Sequence, residues 1–291
     1  MSVLDPALVA GSFFVAIIVG LTGMGGGALM TPMMMLFFNV PPLAAVSSDL
    51  VASAVMKPVG GLVHLRRGTV HLPLVGWLCV GSVPAAFAGV LIMRALGDVQ
   101  EVVKYALGIA LLLAVAGLVG KALLGRRSTK VDESIHLRPI PTVLIGMVGG
   151  VIVGMTSVGS GSLIIVMLLV VYPMISANQL VGTDLLQAVP LVMSAAFGHL
   201  LFGDFQLDLT ASLLLGSIPG VYLGARISSW APGHVIRPIL AVVLFASALK
   251  LLGVSNTALL WWVAGFIAAG AAGWLAVARM IKPSTEVSAD T

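Results

Sequence analysis

Long apolar runs separated by short polar connections dominate the pattern of hydrophobic and polar positions along the chain. A helix that crosses a bilayer needs about 20 predominantly apolar residues, and seven runs reach that length. They lie near residues 42–65, 70–93, 102–124, 178–202, 207–230, 235–252 and 256–280. The pattern therefore predicts a polytopic α-helical membrane protein.

Two further apolar regions are broken in the middle by glycine and hydroxyl residues. Residues 6–38 are interrupted at 22–27 (TGMGGG), and residues 141–172 are interrupted at 156–162 (TSVGSGS). The flanking pieces, of roughly 11–17 residues, are too short to cross a bilayer alone. Each region is therefore expected to be either one broken transmembrane helix or a re-entrant hairpin of two half-helices.

The two broken regions belong to an internal repeat. Residues 20–29 match 154–163 at an offset of 134, and residues 42–89 match 177–224 with 13 identities in 48 positions. Biased composition alone would give roughly one identity in ten. The predicted organisation is a first membrane repeat at 1–124, a cytoplasmic linker at 125–138, a second repeat at 139–252, an extra transmembrane helix at 253–282 and a polar tail at 283–291.

The distribution of Lys and Arg distinguishes the two forms of the broken regions. Re-entrant hairpins place 11 of these residues inside and three outside, whereas single crossings place eight inside and six outside. Cytoplasmic loops are enriched in Lys and Arg. The charges thus favour two inverted repeats, each a half-helix pair plus three transmembrane helices, and a cytoplasmic C-terminus.

The composition excludes several functional classes. The chain of 291 residues is 59% hydrophobic and 9% charged, with a mean hydropathy of +1.13, whereas a soluble domain has about 25% charged residues. A water-soluble enzyme and a nucleic-acid binder are therefore excluded, and the net charge of +4 is ascribed to basic cytoplasmic loops. The single cysteine, Cys79, rules out an intramolecular disulfide.

The glycine breaks predict a substrate site. Free N–H groups at the start of a half-helix and the helix dipole favour an anion, and inversion would bring both breaks to the middle of the membrane. The expected binding residues are Thr22, Gly25, Gly26 and Gly27 in the first break and Thr156, Gly159, Ser160, Gly161 and Ser162 in the second. Ser157 adds another hydroxyl donor. The alternative is that these glycines only allow close helix packing.

Ionisable residues within the predicted spans are the second set of candidates, because they are costly in a membrane and usually functional. Asp49 and its repeat partner Asp184 are expected to couple protons to transport or to gate it; a structural role at the repeat interface is the alternative. Lys57 is expected to contact the anion, or else to pair with an aspartate. Gln187 is a further substrate-binding candidate, and Ser53 could line a pathway.

Three stretches resemble a known family: GLTGMGGGALMTPMMMLF with its second copy, the Pro-x-x-Ala-Val-Ser-Ser-Asp-Leu segment, and GTDLLQ. They resemble the TauE/SafE sulfite-exporter family over about residues 6–252. The resemblance implies transport of sulfite, sulfoacetate, thiosulfate or other organosulfonates across a bacterial inner membrane, and a possible homodimer. Family members often have a neutral residue where this chain has Asp49 and Asp184.

The function expected from the sequence is secondary transport of a small sulfur-containing anion, coupled to protons, by alternating access. The expected partners are the anion, protons and the lipid bilayer, without nucleic acid, cofactor or metal. A passive anion channel and an intramembrane enzyme are the alternatives. No G-x-S-x-G or H-E-x-x-H motif supports the enzyme.

Overall fold

The computed structural model describes residues 4–22, 26–66, 68–96, 99–124, 137–161, 163–173, 175, 177–227 and 233–281. Most of the predicted linker and the polar tail lie outside this part of the chain. The regular elements of the described residues are α-helices. They are α1 (Pro6–Thr22), α2 (Gly27–Phe37), α3 (Pro42–Arg66), α4 (Leu72–Ala95), α5 (Val99–Leu124), α6 (Pro139–Thr156), α7 (Leu163–Val171), α8 (Ala177–Phe202), α9 (Leu207–Ile227), α10 (Gly233–Leu251) and α11 (Asn256–Ile281).

The long helices follow the apolar runs of the sequence. The seven runs form α3, α4, α5, α8, α9, α10 and α11, with ends within a few residues of those expected. By length and composition, six helices of the described chain could cross a membrane: α4, α5, α6, α8, α9 and α11. The all-helical, multi-pass fold is thus confirmed.

The broken regions contain helices of unequal length. α1 and α6 have 17 and 18 residues, whereas α2 and α7 have 11 and 9. At 1.5 Å per residue the first helix of each region is about 26 Å long. The expectation that both flanking pieces are too short to cross is wrong for α6, which is long enough to be a candidate span.

In both broken regions the second helix returns towards the start of the first. The Met33 sulfur and the Phe38 ring, at the end of α2, lie against Gly11 in the first half of α1. Directly after α7, the Tyr172 hydroxyl is 2.6 Å from the Thr142 hydroxyl and accepts a hydrogen bond of 2.9 Å from the Arg138 backbone N–H at the start of α6. Each region therefore forms an antiparallel pair of helices.

α4 and α6 pack closely and run in the same direction. Gly146 lies against the Leu78 carbonyl, and Gly154, two turns later, lies against the Ala86 carbonyl. The contact positions thus increase in number along both helices, from Gly146 to Gly154 in α6 and from Leu78 to Ala86 in α4, which shows that the two helices are parallel. The glycines leave no room for a side chain, so the backbones of α4 and α6 approach closely, as small residues allow between membrane helices.

α1 and α9 pack in the same manner. Gly216 lies against the Val9 carbonyl and Gly224 against the Ile17 carbonyl, so these helices are also parallel. In each case the first helix of one repeat packs on the fourth helix of the other repeat. The two halves of the chain are thus interleaved, and neither half buries its glycine surfaces alone.

α3 and α8 are equivalent helices of the repeat, and they run in opposite directions. Ser47 near the start of α3 is 2.8 Å from the His199 ring near the end of α8, whereas Gly61 near the end of α3 lies against Val189 in the middle of α8. Opposed directions of equivalent helices are a requirement of inverted repeats, so the packing favours the inversion that the charges indicate.

Buried His199 joins three helices. Its Nε2 donates to the Gly154 carbonyl in α6 at 2.8 Å, and its Nδ1 is bonded to the Ser47 hydroxyl in α3. The Ser47 oxygen also accepts a hydrogen bond from the Asp204 backbone N–H at 3.2 Å. A carbonyl only accepts, so the Nε2 proton is fixed, and the ring contributes to the packing of α3, α6 and α8.

Replacing Gly150 by Ala is expected to destabilise the protein. A Cβ at Gly150 would lie 2.9 Å from Ser82 Cα and 3.0 Å from Ala85 Cβ, so α4 and α6 must separate, at a cost of about 1–3 kcal/mol. Gly76→Ala, where a Cβ meets nothing within 4 Å, is the matched control. Thermal unfolding in detergent should show a lower midpoint for Gly150→Ala only. Equal midpoints would contradict the close packing.

Single cysteines test the return of α2 to the start of α1. In a Cys79→Ala background, Leu4→Cys and Pro41→Cys are expected to react with a membrane-impermeant maleimide from one face, and Arg66→Cys from the opposite face. All three positions are exposed. Labelling of Leu4→Cys and Pro41→Cys from opposite faces would show that residues 6–38 cross the membrane once.

Candidate substrate site at the two glycine breaks

The two glycine breaks are in direct contact. α2 begins at Gly27, and a Cβ at that position would collide with the backbone carbonyl of Ser157, the residue that follows α6. Only glycine fits at position 27 without a shift of one of the two segments. The start of α2 is therefore held against the end of α6, and the breaks of the two repeats form one continuous surface.

Positive φ angles shape the second break. Ser157, Gly159 and Gly161 have φ values of 61°, 126° and 97°, a region that glycine adopts without strain. The backbone turns sharply here, and the Leu163 N–H then donates to the Gly159 carbonyl at 3.1 Å to begin α7. Glycine at 159 and 161 thus allows the chain to reverse between α6 and α7.

α3 presents a polar stripe to the breaks. Asp49, Ser53 and Lys57 follow one another at intervals of four residues, which places them on one face of the helix. Their exposed fractions are 0%, 1% and 8%. Buried polar side chains in a membrane protein need partners, and those of Asp49 and Lys57 come largely from the breaks.

The Asp49 carboxyl group accepts hydrogen bonds from residues of both repeats. Its Oδ2 accepts a hydrogen bond of 2.9 Å from the Thr31 hydroxyl of α2 and one of 2.6 Å from the Ser157 hydroxyl. Its Oδ1 has no hydrogen-bond partner among the described residues. The carboxyl group therefore links the short helix of the first repeat to the break of the second.

Lys57 places a buried cation at the second break. Its Nζ donates to the Ser160 hydroxyl at 2.6 Å, and Asp49 and Asp184 both interact electrostatically with the ammonium. A buried charge is stable only when it is paired and hydrogen-bonded. The Lys57 ammonium is thus bonded to Ser160 and close enough to one carboxyl group of α3 and one of α8 to interact with their charge.

Gly26 and the buried Ser53 hydroxyl lie close together at the start of α2. The Ser53 hydroxyl has no hydrogen-bond partner in the described part of the chain, and it lies 3.8 Å from the position that a Cβ on Gly26 would take. Met30 and Met56 are equally distant from that position. Unlike Gly27, Gly26 therefore tolerates a Cβ in ordinary van der Waals contact, whereas a larger side chain would crowd Ser53 and the two methionines.

Two of the predicted binding residues have other partners. The Thr156 hydroxyl donates to the Ile152 carbonyl at 2.6 Å within α6, so it stabilises the end of that helix. The Gln187 side-chain amide donates to the Ser82 hydroxyl of α4 at 2.7 Å, and its Oε1 has no partner among the described residues. Asp184, three residues earlier on α8, is buried.

The predicted candidates thus divide into three groups. Thr156 and Gln187 have the other partners described above. The candidates that lie at or near the contact of the breaks are Gly26, Gly27, Asp49, Lys57, Gly159, Ser160, Gly161 and Asp184. Gly25, Ser162 and the side chain of Thr22 lie outside the described residues. Thr31 is the residue that sequence reasoning missed. Its spacing of four residues from Gly27, on the same face of α2, is the signal that could have identified it.

Comparison with known proteins places this chain in a family. The family model of the sulfite exporter TauE/SafE matches residues 8–251. The probable membrane transporter protein YjnA of Bacillus subtilis (strain 168) is 37% identical over 248 residues, which cover 82% of this chain and 96% of the relative. Another probable membrane transporter of that strain, YdhB, is 24% identical over 77% of this chain and 91% of its own length.

A more distant relative comes from another bacterium. The probable membrane transporter protein ORF9 of Sinorhizobium sp is 26% identical over 82% of this chain and 89% of its own length. No solved structure matches the chain significantly. The family model and the relatives agree with the multi-pass helical fold, and this chain belongs to the sulfite exporter TauE/SafE family of membrane transporters.

Proposed function

We propose that this protein is a secondary transporter of a small sulfur-containing anion, such as sulfite, sulfoacetate or another organosulfonate, in a bacterial inner membrane. The observation that carries the proposal is the buried Lys57 ammonium, hydrogen-bonded to Ser160 where the two glycine breaks meet. The name of the matching family, sulfite exporter, supports the substrate class.

The residues around Lys57 fit a sulfonate or sulfite group. Its oxygens only accept hydrogen bonds, and charge-assisted bonds from an ammonium group are stronger than neutral ones. Ser160, bonded to Lys57, and Ser53, one turn before Lys57 on α3, are hydroxyl donors, and the start of α2 at Gly27 adds the positive end of a helix dipole. An arriving anion would take hydrogen bonds from Lys57 and Ser160 that they now make with each other.

The two aspartates provide a basis for proton coupling. Asp49 and Asp184 interact with the same ammonium that the anion would bind, so a carboxylate and the anion compete for Lys57. Protonation of a carboxyl group removes that competition. Proton binding to Asp49 or Asp184 and anion binding to Lys57 therefore favour each other, which is the linkage that a coupled transporter requires.

The interleaved repeats support alternating access. Each hairpin packs on a helix of the other repeat, α1 on α9 and α6 on α4, and equivalent helices α3 and α8 run in opposite directions. In inverted repeats, rocking of one hairpin against the other opens the central site to alternate faces. Asp49, bonded to both Thr31 and Ser157, would hold the hairpins together in the present state. An inverted arrangement with the Lys- and Arg-rich loops inside would put the C-terminus in the cytoplasm.

Gly26→Val is expected to reduce transport without unfolding the protein. The first atom of the new side chain would meet Ser53, Met30 and Met56 at ordinary van der Waals distance, and the branched methyl groups would crowd the Ser53 hydroxyl. Uptake of radiolabelled 2-hydroxyethanesulfonate or sulfite into proteoliposomes should fall by about tenfold or more, equivalent to at least 1.4 kcal/mol. Gly76→Val, in open space on α4, is the control. Unchanged uptake by Gly26→Val would exclude the surroundings of Gly26 and Ser53 from the substrate site.

The double change Asp49→Asn/Asp184→Asn is expected to abolish the proton movement that accompanies the anion. An amide cannot exchange a proton, so the double variant has no acid beside Lys57, whereas either single variant keeps one. Proteoliposomes with an internal pH dye and an imposed gradient of 2-hydroxyethanesulfonate measure this flux. Asp208→Asn, at the exposed start of α9, should behave as the unmodified protein. A proton flux that survives replacement of both buried aspartates would contradict their coupling role.

A further inference from the structure

The buried charges of the structure are few and concentrated. Among the described residues, four acidic or basic side chains are buried, namely Asp49, Lys57, Asp184 and His199. Three of them belong to the candidate site, where Lys57 interacts with both aspartates. The low-dielectric interior of a membrane protein penalises any net charge that is left in such a cluster. The sum of these charges therefore limits what the site can bind.

The fourth buried group, His199, does not contribute to the net charge of the candidate site. It lies beside Ser47, which precedes Lys57 by ten residues in α3, a separation of about 15 Å along the helix. Its two ring nitrogens are bonded to the Gly154 carbonyl and the Ser47 hydroxyl. Neutral imidazole suits these partners, because one nitrogen donates and the other accepts.

The other helices that pack on α3 bring no further charge to Lys57. α2 has no charged residue, and α8 contributes Asp184 and His199. α5 and α9 also contact α3, but their described titratable side chains are exposed or only partly buried. These are Glu101, Lys104, Tyr105, Asp208, Tyr222 and Arg226. In α3 itself, His64 is half-buried and Arg66 is exposed. Among the residues that the structure describes, the site thus contains one cation and two acids.

Neutrality fixes the charge states of this cluster. Without an anion, neutrality requires that the Lys57 ammonium balances one carboxylate and that the other acid holds a proton. When a monovalent anion binds Lys57, the remaining carboxylate must take up a proton to keep the sum at zero. All three groups are then fully protonated, so a second negative charge on the ligand would remain unbalanced.

We infer that the site binds monovalent anions, each together with one proton, and discriminates against divalent anions. Hydrogensulfite and sulfonates with a single negative charge are then substrates, whereas the sulfite dianion and sulfoacetate bind weakly. This inference rests on the proposed function and narrows its substrate class to monovalent anions, so that sulfoacetate no longer belongs to it. It also adds the number of protons that accompany each anion. The selection follows from the charge count rather than from the size of the site.

Two ligands of similar length but different charge provide the test. The probes are 2-hydroxyethanesulfonate, with one negative charge, and sulfoacetate, with two. Titration calorimetry of the purified full chain in triethanolamine, imidazole and Tris gives both affinity and proton uptake, because these buffers differ in ionisation enthalpy. They are cationic and contain no sulfonate that would compete for the site.

The expected result is an affinity for 2-hydroxyethanesulfonate at least about tenfold higher than for sulfoacetate, with close to one proton taken up per anion bound. Equal affinities, tighter binding of sulfoacetate, or binding without proton uptake would overturn the inference and leave the proposed anion site standing. Failure of both anions and of sulfite to bind would overturn the proposed function and the inference with it.

Variants of Lys57 separate the charge count from general damage to the fold. Lys57→Met removes the cation and should abolish binding and proton uptake, whereas Lys57→Arg keeps the charge and should retain measurable binding. Lys104→Met, at a partly exposed position that pairs with Glu101, is the control. Thermal unfolding without anion verifies that each variant is folded. Binding by folded Lys57→Met with unchanged proton uptake would contradict the inference.

Discussion

A buried ammonium group in a membrane protein needs hydrogen-bond acceptors and negative charges close to it. Those of Lys57 come from separate parts of the chain. Ser160 comes from the second glycine break, Asp49 from the same helix and Asp184 from the equivalent helix of the other repeat. These groups can meet only if the breaks and the two central helices, α3 and α8, lie together. The requirement to pair this charge therefore links the fold to the chemistry of an anion site.

Glycine packing makes this meeting possible. Gly27 lies against the Ser157 carbonyl, and the glycines of α6 and α9 lie against backbone atoms of α4 and α1. These contacts fix where the breaks lie, since any side chain there would push the helices apart. Gly26 differs from Gly27 because a Cβ there would make only ordinary van der Waals contacts, with Ser53, Met30 and Met56. Of these neighbouring glycines, Gly27 is therefore the one whose missing side chain allows the two repeats to touch.

Much of the fold could be predicted from the sequence, because bilayer thickness sets the length of apolar runs and the helices follow them closely. The repeat identified the two breaks and the pair of aspartates. The partners of individual side chains could not be predicted, since they depend on tertiary contacts. Thr31 appears in the sequence as an ordinary polar residue within an apolar helix, yet it binds Asp49. Thr156, in contrast, looked like a ligand donor but is satisfied by the Ile152 carbonyl of its own helix.

Direct observation of a bound anion is the sharpest test of the central claim that the substrate binds where the two breaks meet. Crystals grown with 2-bromoethanesulfonate would locate the ligand through the anomalous signal of bromine. If the anion binds at Lys57, a single strong peak is expected within a few ångströms of its ammonium group, with the sulfonate oxygens near Ser160. A peak at another place in the protein, with Lys57 and Ser160 still hydrogen-bonded to each other, would contradict it.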